Sequence, residues 1–132
     1  MLDIGLFIIR LIIGVLFIGH GAQKLFGWFG GYGLKGTAGW LESMNMKPGV
    51  LMAIMAGLSE FIGGILFVLG FLTPLAGLLI AATMLMAIIK VHGANGLWST
   101  ANGYEYNLTI IACAIGIALA GPGQIALDAI IF

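Results

Sequence analysis

Charged residues are scarce in this sequence of 132 residues: they make up 8% of the chain, and five basic residues balance five acidic ones. Soluble domains carry about 25% charged residues, so water could not solvate the surface of this chain. The zero net charge also gives no support to nucleic-acid binding. Hydrophobic residues make up 61% of the chain, and lipid is the solvent that this composition predicts.

Cysteine occurs once, at Cys113, within an apolar run. A lone cysteine forms no disulfide and no CxxC redox pair within one chain. No HExxH or CxxCH sequence is present either. We therefore expect no zinc or other metal site and no flavin or nicotinamide (NAD) site, and a redox role would depend on a partner or a diffusible cofactor.

Long apolar runs separated by short polar stretches predict membrane-spanning helices, each of which needs roughly 20 residues. We predict an all-α, multi-pass membrane protein, a four-helix bundle with a long first loop. One membrane domain takes up residues 1–132, and its spans are predicted at about residues 4–25, 49–69, 75–91 and 105–120.

Polar and aromatic side chains collect in the first and third loops, which share one face of the membrane in an up-and-down bundle. Both histidines and all three tryptophans lie there. A belt of interfacial aromatics with snorkelling lysines predicts tryptophans at both faces, so the asymmetry favours a functional pocket over a belt. The predicted substrate-binding residues are Gln23, Trp28, His92, Trp98, Tyr104 and Asn107.

Histidine and lysine at the ends of predicted spans suit an oxygen-bearing ligand. His20 and His92 lie on separate helices and could ligate a haem, but their lysine neighbours at the interface favour a quinone or phenol instead. We predict catalytic roles for His20, Lys24 and Glu105. The first two would bind or protonate a quinone oxygen, and Glu105 would exchange protons. We interpret the seven methionines as apolar side chains that fill the core, and not as copper ligands.

Arg10 and Glu60 are charges inside the first and second predicted spans. Counted from the ends of two antiparallel helices, their depths differ by about 6 Å, a distance that arginine can reach. Burying either charge in hydrocarbon without a partner would cost several kcal/mol of free energy. We therefore predict an intramembrane ion pair between them, which either fixes the helix register or handles substrate or protons.

The residues in these positions resemble those of a known family. The first part of the likeness runs Arg10…Gly14…Phe17…His20-Gly21…Gln23-Lys24-Leu25-Phe26-Gly27. It continues in order with Glu60-x-x-Gly63-Gly64, His92…Asn95-Gly96, Gly103-Tyr104-Glu105-Tyr106-Asn107 and Gly121-Pro122-Gly123. This ordered set, which covers nearly the whole chain, looks like that of the DoxX-like membrane proteins.

The resemblance implies a four-helix integral membrane protein of bacteria. Members of that family commonly carry the provisional label of oxidoreductase. Some are similar to a membrane subunit of a thiosulfate:quinone oxidoreductase. Others accompany enzymes that dispose of catechols and hydroquinones or respond to thiol stress.

Three functions follow as hypotheses. The first is a membrane component of a redox system that acts on a quinone or a small phenolic or sulfur compound, with electrons supplied by a partner or a diffusible cofactor. The second is export of a small aromatic or sulfur compound, which would require a dimer to enclose a path. The third is a non-catalytic membrane anchor for soluble redox enzymes. Whether the chain is itself an enzyme stays open among them.

The expected partners are the lipid bilayer and either a second copy in a homodimer or a soluble redox enzyme. The predicted location is the cell membrane. Because the first and third loops hold Lys24, Lys35, Lys47 and Lys90, the positive-inside rule places these loops in the cytoplasm.

Overall fold

The computed structural model describes residues 1–131, and none of them lies in a strand. Phe132, the last residue of the predicted domain, lies outside the described residues. The helices are α1 (Leu2–Phe26), α2 (Gly33–Ser43), α3 (Gly49–Leu69), α4 (Thr73–Ala87), α5 (Glu105–Ala120) and α6 (Leu127–Ile131). The predicted all-α bundle is confirmed.

Within residues 1–131, three helices are long and apolar enough to cross a membrane: α1, α3 and the stretch Thr73–Asn95. That stretch is α4 continued by a π-helical turn, Ile88–His92, and a short 3-10 turn, Gly93–Asn95. The fourth helix, α5, is apolar but has only 16 residues. The long first loop contains α2, a surface helix that packs mainly against α3.

Helices α1 and α3 are antiparallel and touch backbone against backbone, because glycines lie where they meet. A Cβ atom added at Gly14 would lie 2.8 Å from the carbonyl oxygen of Gly64, and one added at Gly21 would lie 2.8 Å from that of Gly57. Any larger residue would force the helices apart. The two contacts also set the register, since Gly14 is level with Gly64 and Gly21 is level with Gly57.

The end of the bundle that carries the turn between α3 and α4 is tightly closed. Three large side chains from different helices are completely buried between the middle of the bundle and this end: Phe17, Phe67 and Ile80. A Cβ added at Gly77 would lie 2.7 Å from the carbonyl oxygen of Ala114, so α4 and α5 are also in close contact. The core therefore extends from the middle of the bundle toward this end.

Arg10 is fully buried at the C-terminal end of α3. Its Nη1 donates hydrogen bonds to the carbonyl oxygens of Phe67, at 3.2 Å, and Val68, at 3.1 Å, and its Nη2 donates to that of Ile125. The last carbonyls of a helix lack intrahelical partners and form the negative end of its dipole. These carbonyls therefore stabilise a buried cation that contacts no carboxylate of residues 1–131.

The next helix, α4, receives the opposite charge at its start. The backbone N–H groups of Leu72 and Thr73 and the hydroxyl of Thr73 donate to the carboxylate of Asp128, at 2.7–2.9 Å. Burial raises the pKa of Asp128, but the hydrogen bonds from Thr73 and Leu72 and the charge of Arg10 outweigh it and lower this pKa below its usual value. Asp128 thus caps α4 and holds the tail against the α3–α4 turn.

The predicted ion pair between Arg10 and Glu60 is wrong. In the register set by the glycines, Glu60 is level with about residue 18 of α1, so Arg10 lies about 12 Å away along the helix axis. Depths counted from the helix ends misplaced the pair because the ends are not level: in this register α1, which starts at Leu2, extends about seven residues beyond Leu69, the last residue of α3. Glu60 binds a different lysine, described below.

The glycine contact can be tested by substitution of neighbouring positions in α1. At Gly21 a methyl group would lie 2.6 Å from the backbone nitrogen of Phe61, whereas at Gly19 it would meet nothing within 4 Å. We expect Gly21→Ala to lower the unfolding free energy by about 1–3 kcal/mol, as overpacking does. Gly19→Ala is the matched control and should leave it unchanged or slightly raised. Unfolding in mixed detergent micelles measures both, and equal stabilities would contradict the contact.

The Asp128 cap predicts a pH-dependent stability. Because its pKa is lower in the folded chain than in the unfolded one, its contribution is complete above the usual aspartate pKa and is lost as the pH falls through the lowered value. We expect Asp128→Ala to cost about 1 kcal/mol at neutral pH. The difference from the wild type should shrink in acid. Melting curves against pH check this, and a difference that stays constant would argue against the cap.

Candidate functional site

A cavity of about 610 Å³ lies at the polar end of the bundle, where the first and third loops meet. Its volume falls in the range of about 300–1,000 Å³ that is typical of small-molecule sites. All the long helices, α2 and both loops contribute to its wall. The polar side chains in the wall are His20, Lys24, Ser59, Glu60, Thr83, Lys90, His92, Ser99, Asn102, Tyr106 and Asn107.

The cavity lies at the end of the bundle away from the turn between α3 and α4. A short turn holds α3 and α4 together at the closed end. At the polar end α4 passes into its π-helical turn, which contributes Lys90 and His92 to the wall. Such π-helical turns are rare in proteins as a whole, and many of those that occur lie at functional sites.

Helix α2 covers the polar end. It packs on α3 through a small cluster of Ala38, Leu41 and Ala53. The carboxylate of Glu42 accepts a hydrogen bond, at 3.2 Å, from the backbone N–H of Gly49 and so ties the first turn of α3 to α2. This arrangement brings Leu41 and the neighbouring Trp40 into the cavity wall.

Lys24 and Glu60 form an ion pair in the wall of the cavity. The Nζ of Lys24 lies 2.8 and 3.0 Å from the two carboxylate oxygens of Glu60. Glu60 is only 3% exposed, whereas Lys24 is 25% exposed. Side chains on a helix lean toward its N-terminus, and the two helices are antiparallel, so both side chains lean from their own levels into the region between them.

Two further polar side chains keep hydrogen-bonding capacity for a ligand. Asn107 is buried, and its amide donates only to the sulfur of Met84, at 3.6 Å, which is a weak acceptor. The Nδ1 of His92 lies 3.0 Å from the carbonyl oxygen of Asn102. A carbonyl only accepts, so Nδ1 carries the proton, and in the neutral ring Nε2 is an acceptor.

The predicted site residues divide into two groups. His20, Lys24, His92 and Asn107 line the cavity together. The other residues are not part of its wall: Gln23, Trp28, Trp98, Tyr104 and Glu105.

Local folding of the loops accounts for most of the second group. Gln23 donates a hydrogen bond to the carbonyl oxygen of Phe29, and Trp28 stacks on Phe26 with ring centroids 4.8 Å apart. Glu105 accepts from the backbone N–H of Ser99, at 3.1 Å.

The backbone N–H of Tyr104 donates to the carbonyl oxygen of Gly96, and the carbonyl of Trp98 accepts from the N–H of Gly103. In both cases the main chain closes the third loop on itself. The Trp98 side chain is exposed.

Sequence reasoning missed other parts of the wall. It paired Glu60 with Arg10 and gave Tyr106 and Trp40 no site role. It also read the methionines as core filler, whereas five of the seven line the cavity: Met46, Met52, Met55, Met84 and Met86. A signal for the cavity wall was present on α3, since residues 52, 56 and 59 share one helical face with the charged Glu60.

One sequence match concerns nucleotide binding. Gly31, Gly33 and Gly36 have GxGxxG spacing, which the expectation of no flavin or nicotinamide site did not take into account. That fingerprint binds a dinucleotide where it joins a strand to a helix. Here it follows a 3-10 turn, Trp28–Gly30, and residues 1–131 contain no strand. Among the same residues no three His, Cys, Asp or Glu side chains are grouped to hold a metal ion.

Comparison with known proteins gives a consistent family. The DoxX family model matches residues 5–93. CatD of Bacillus subtilis, whose name provisionally calls it an oxidoreductase, is 31% identical over 98% of this chain and 89% of its own length. The inner membrane protein YqjF of Escherichia coli is 30% identical over 96% of this chain and 91% of its own. YphA, another inner membrane protein of that organism, is 32% identical over 93% and 87%. No solved structure is significantly similar to this chain.

The ion pair predicts a pattern of stability in single and double variants. Lys24→Met leaves the buried Glu60 carboxylate without its cation and should cost about 3–5 kcal/mol. Lys24→Met combined with Glu60→Met replaces the pair by apolar side chains and should recover most of that loss. Unfolding in micelles measures the variants. If the stability loss of the double variant equals the sum of the losses measured for Lys24→Met and Glu60→Met singly, a direct pair is contradicted.

Proposed function

Since this chain belongs to the DoxX family of membrane proteins, we propose that it is the membrane component of a redox system and that its cavity binds a quinone or a small phenolic compound. Its electrons come from a soluble two-electron donor. The provisional oxidoreductase name of CatD supports the same class of activity.

The Lys24–Glu60 pair in the wall of a mainly apolar cavity is the observation that carries this proposal. An aromatic ring is favourable next to apolar and methionine side chains. A ring oxygen needs a donor or a charge at a defined point, and Lys24 supplies both. Asn107 and His20 line the same cavity and can orient the ring.

In the proposed reaction, side chains of this protein handle the protons and a soluble donor supplies the electrons. A quinone takes up two electrons and two protons to become a hydroquinone, and the reverse reaction releases them. The soluble donor supplies the two electrons to the quinone and is itself oxidised. Lys24 stabilises negative charge on the ring oxygen, and Glu60 and His20 exchange protons with it.

The soluble donor would act from the polar end of the bundle, which we place in the cytoplasm. The lysines on that end support this orientation by the positive-inside rule, and the turn and tail at the other end carry no lysine or arginine. A homodimer stays a prediction. The glycines at positions 14, 21, 57 and 64 are engaged in contacts within the chain.

Export of a small molecule is less well supported by the geometry. A transporter needs a path that connects both faces of the membrane at different times. Phe17, Phe67 and Ile80 are completely buried between the cavity and the closed end, so a path would have to part these side chains. The anchor hypothesis needs no ligand and is therefore separated from the redox hypothesis by a binding measurement.

The first test is extraction of the purified protein and mass spectrometry of the small molecules that remain bound. We expect a quinone or phenol at close to one per chain in the wild type. Glu60→Gln and His20→Ala should lower this occupancy about tenfold, which corresponds to losing one good polar contact.

Glu105→Gln is the matched control, since Glu105 lies outside the cavity wall and the glutamine oxygen can still accept from Ser99. It should keep the wild-type occupancy. Protein without any such ligand, and with no saturable binding of added quinone, would favour the anchor and sink the redox proposal.

A further inference from the structure

The cavity reaches the outer surface of the bundle between α3 and α4. Met55 of α3 and Met86 of α4 line the cavity, yet they are 54% and 46% exposed. Ala82, one turn before Met86, also lines the cavity and is exposed. Residues that belong both to the wall and to the outer surface mark a mouth.

This mouth opens at the depth of the hydrocarbon. Met55 lies six residues into α3, about 9 Å along its axis. Ala82 lies nine residues after Thr73 in a continuous helical stretch of 23 residues, close to its middle. The hydrocarbon core is about 30 Å thick, so a side chain exposed at the middle of a spanning helix faces lipid tails and not water.

The chemistry of the mouth suits an apolar chain. The exposed side chains on its two edges are unbranched methionines, and Ala82 leaves space between them. Methionine adapts its shape to different apolar partners. Lys90 also lines the cavity. It lies in the π-helical turn that continues α4 at the polar end, where a charged group can reach the membrane interface.

We infer that the ligand of the cavity is a membrane-dissolved quinone with an apolar tail, which enters sideways from the bilayer between α3 and α4. The ring occupies the cavity, and the tail extends through the mouth into lipid. A volume of about 610 Å³ holds a ring of drug-like size, but a long isoprenoid tail has to leave it. This inference rests on the proposed function and adds the class of substrate and its route.

Two probes separate the ring from the tail. One is a dimethylnaphthoquinone, whose ring has no position open to addition by the thiol of Cys113, and the other is the same kind of ring with an isoprenoid tail. Trp40 lines the cavity and reports binding by quenching of its fluorescence. The protein is placed in lipid nanodiscs and carries Trp28→Phe and Trp98→Phe, so that the signal comes from Trp40. Only saturable quenching counts as binding.

Ala82→Phe narrows the mouth, and Leu78→Phe is its matched control. Leu78 lies one turn earlier on the same helix, is 59% exposed and does not line the cavity. We expect the wild type to bind both probes. Ala82→Phe should weaken the tailed probe by about tenfold or more and leave the tail-free ring within about twofold, because only the tail of a bound ligand occupies the mouth that the phenyl group narrows. Leu78→Phe should change neither.

Other outcomes overturn the inference in distinguishable ways. If the wild type binds the tail-free ring but not the tailed one, or if Ala82→Phe affects both probes equally, the lateral route is wrong and the quinone proposal stands. If the wild type binds neither probe, the proposed function fails and the inference fails with it. Circular dichroism and gel filtration establish that each variant is folded, which is expected since Ala82 and Leu78 are both exposed.

Discussion

The close contact between α1 and α3 is the constraint on which the rest of the structure depends. Gly14 against Gly64 and Gly21 against Gly57 leave no room for a side chain, so the two helices have one register. That register decides the partner of each buried charge on α1. Arg10 comes to the carbonyl end of α3, and Lys24 comes to Glu60. A shift by one helical turn would leave both cations in an apolar bundle without partners.

The two cations, Arg10 and Lys24, make different kinds of contact at opposite ends of the molecule. At the closed end Arg10 binds backbone carbonyls and Asp128 caps α4, so the dipoles of two successive helices are each met by a charge of the favourable sign. At the open end the pair of Lys24 and Glu60 borders a cavity, where the same kind of charge is available to a ligand. The contacts at the closed end hold the helices together, and the cavity lies at the other end.

Sequence reasoning predicted a pocket at the end of the bundle where the cavity lies and identified part of the cavity wall. His20, Lys24, His92 and Asn107 lie near helix ends, where the hydrophobic pattern itself tells which face a residue reaches, and all four line the cavity. Glu105 and Trp28 were chosen for their chemistry, but each is engaged by its own loop. Hydrogen bonds within an irregular loop leave no periodic signal in a sequence, so such residues could not be assigned to a pocket or away from it.

Composition and apolar run length by themselves determined that this is an all-helical membrane protein, because the thickness of the bilayer sets the length of a span. They also determined that the polar chemistry gathers at one end, since loops between antiparallel helices alternate between faces. Only the tertiary structure decided that Glu60 pairs with Lys24 and not with Arg10, and that methionines form a cavity wall. Both depend on the offset and rotation of one helix against another, which a few glycine contacts set and which no single helix contains.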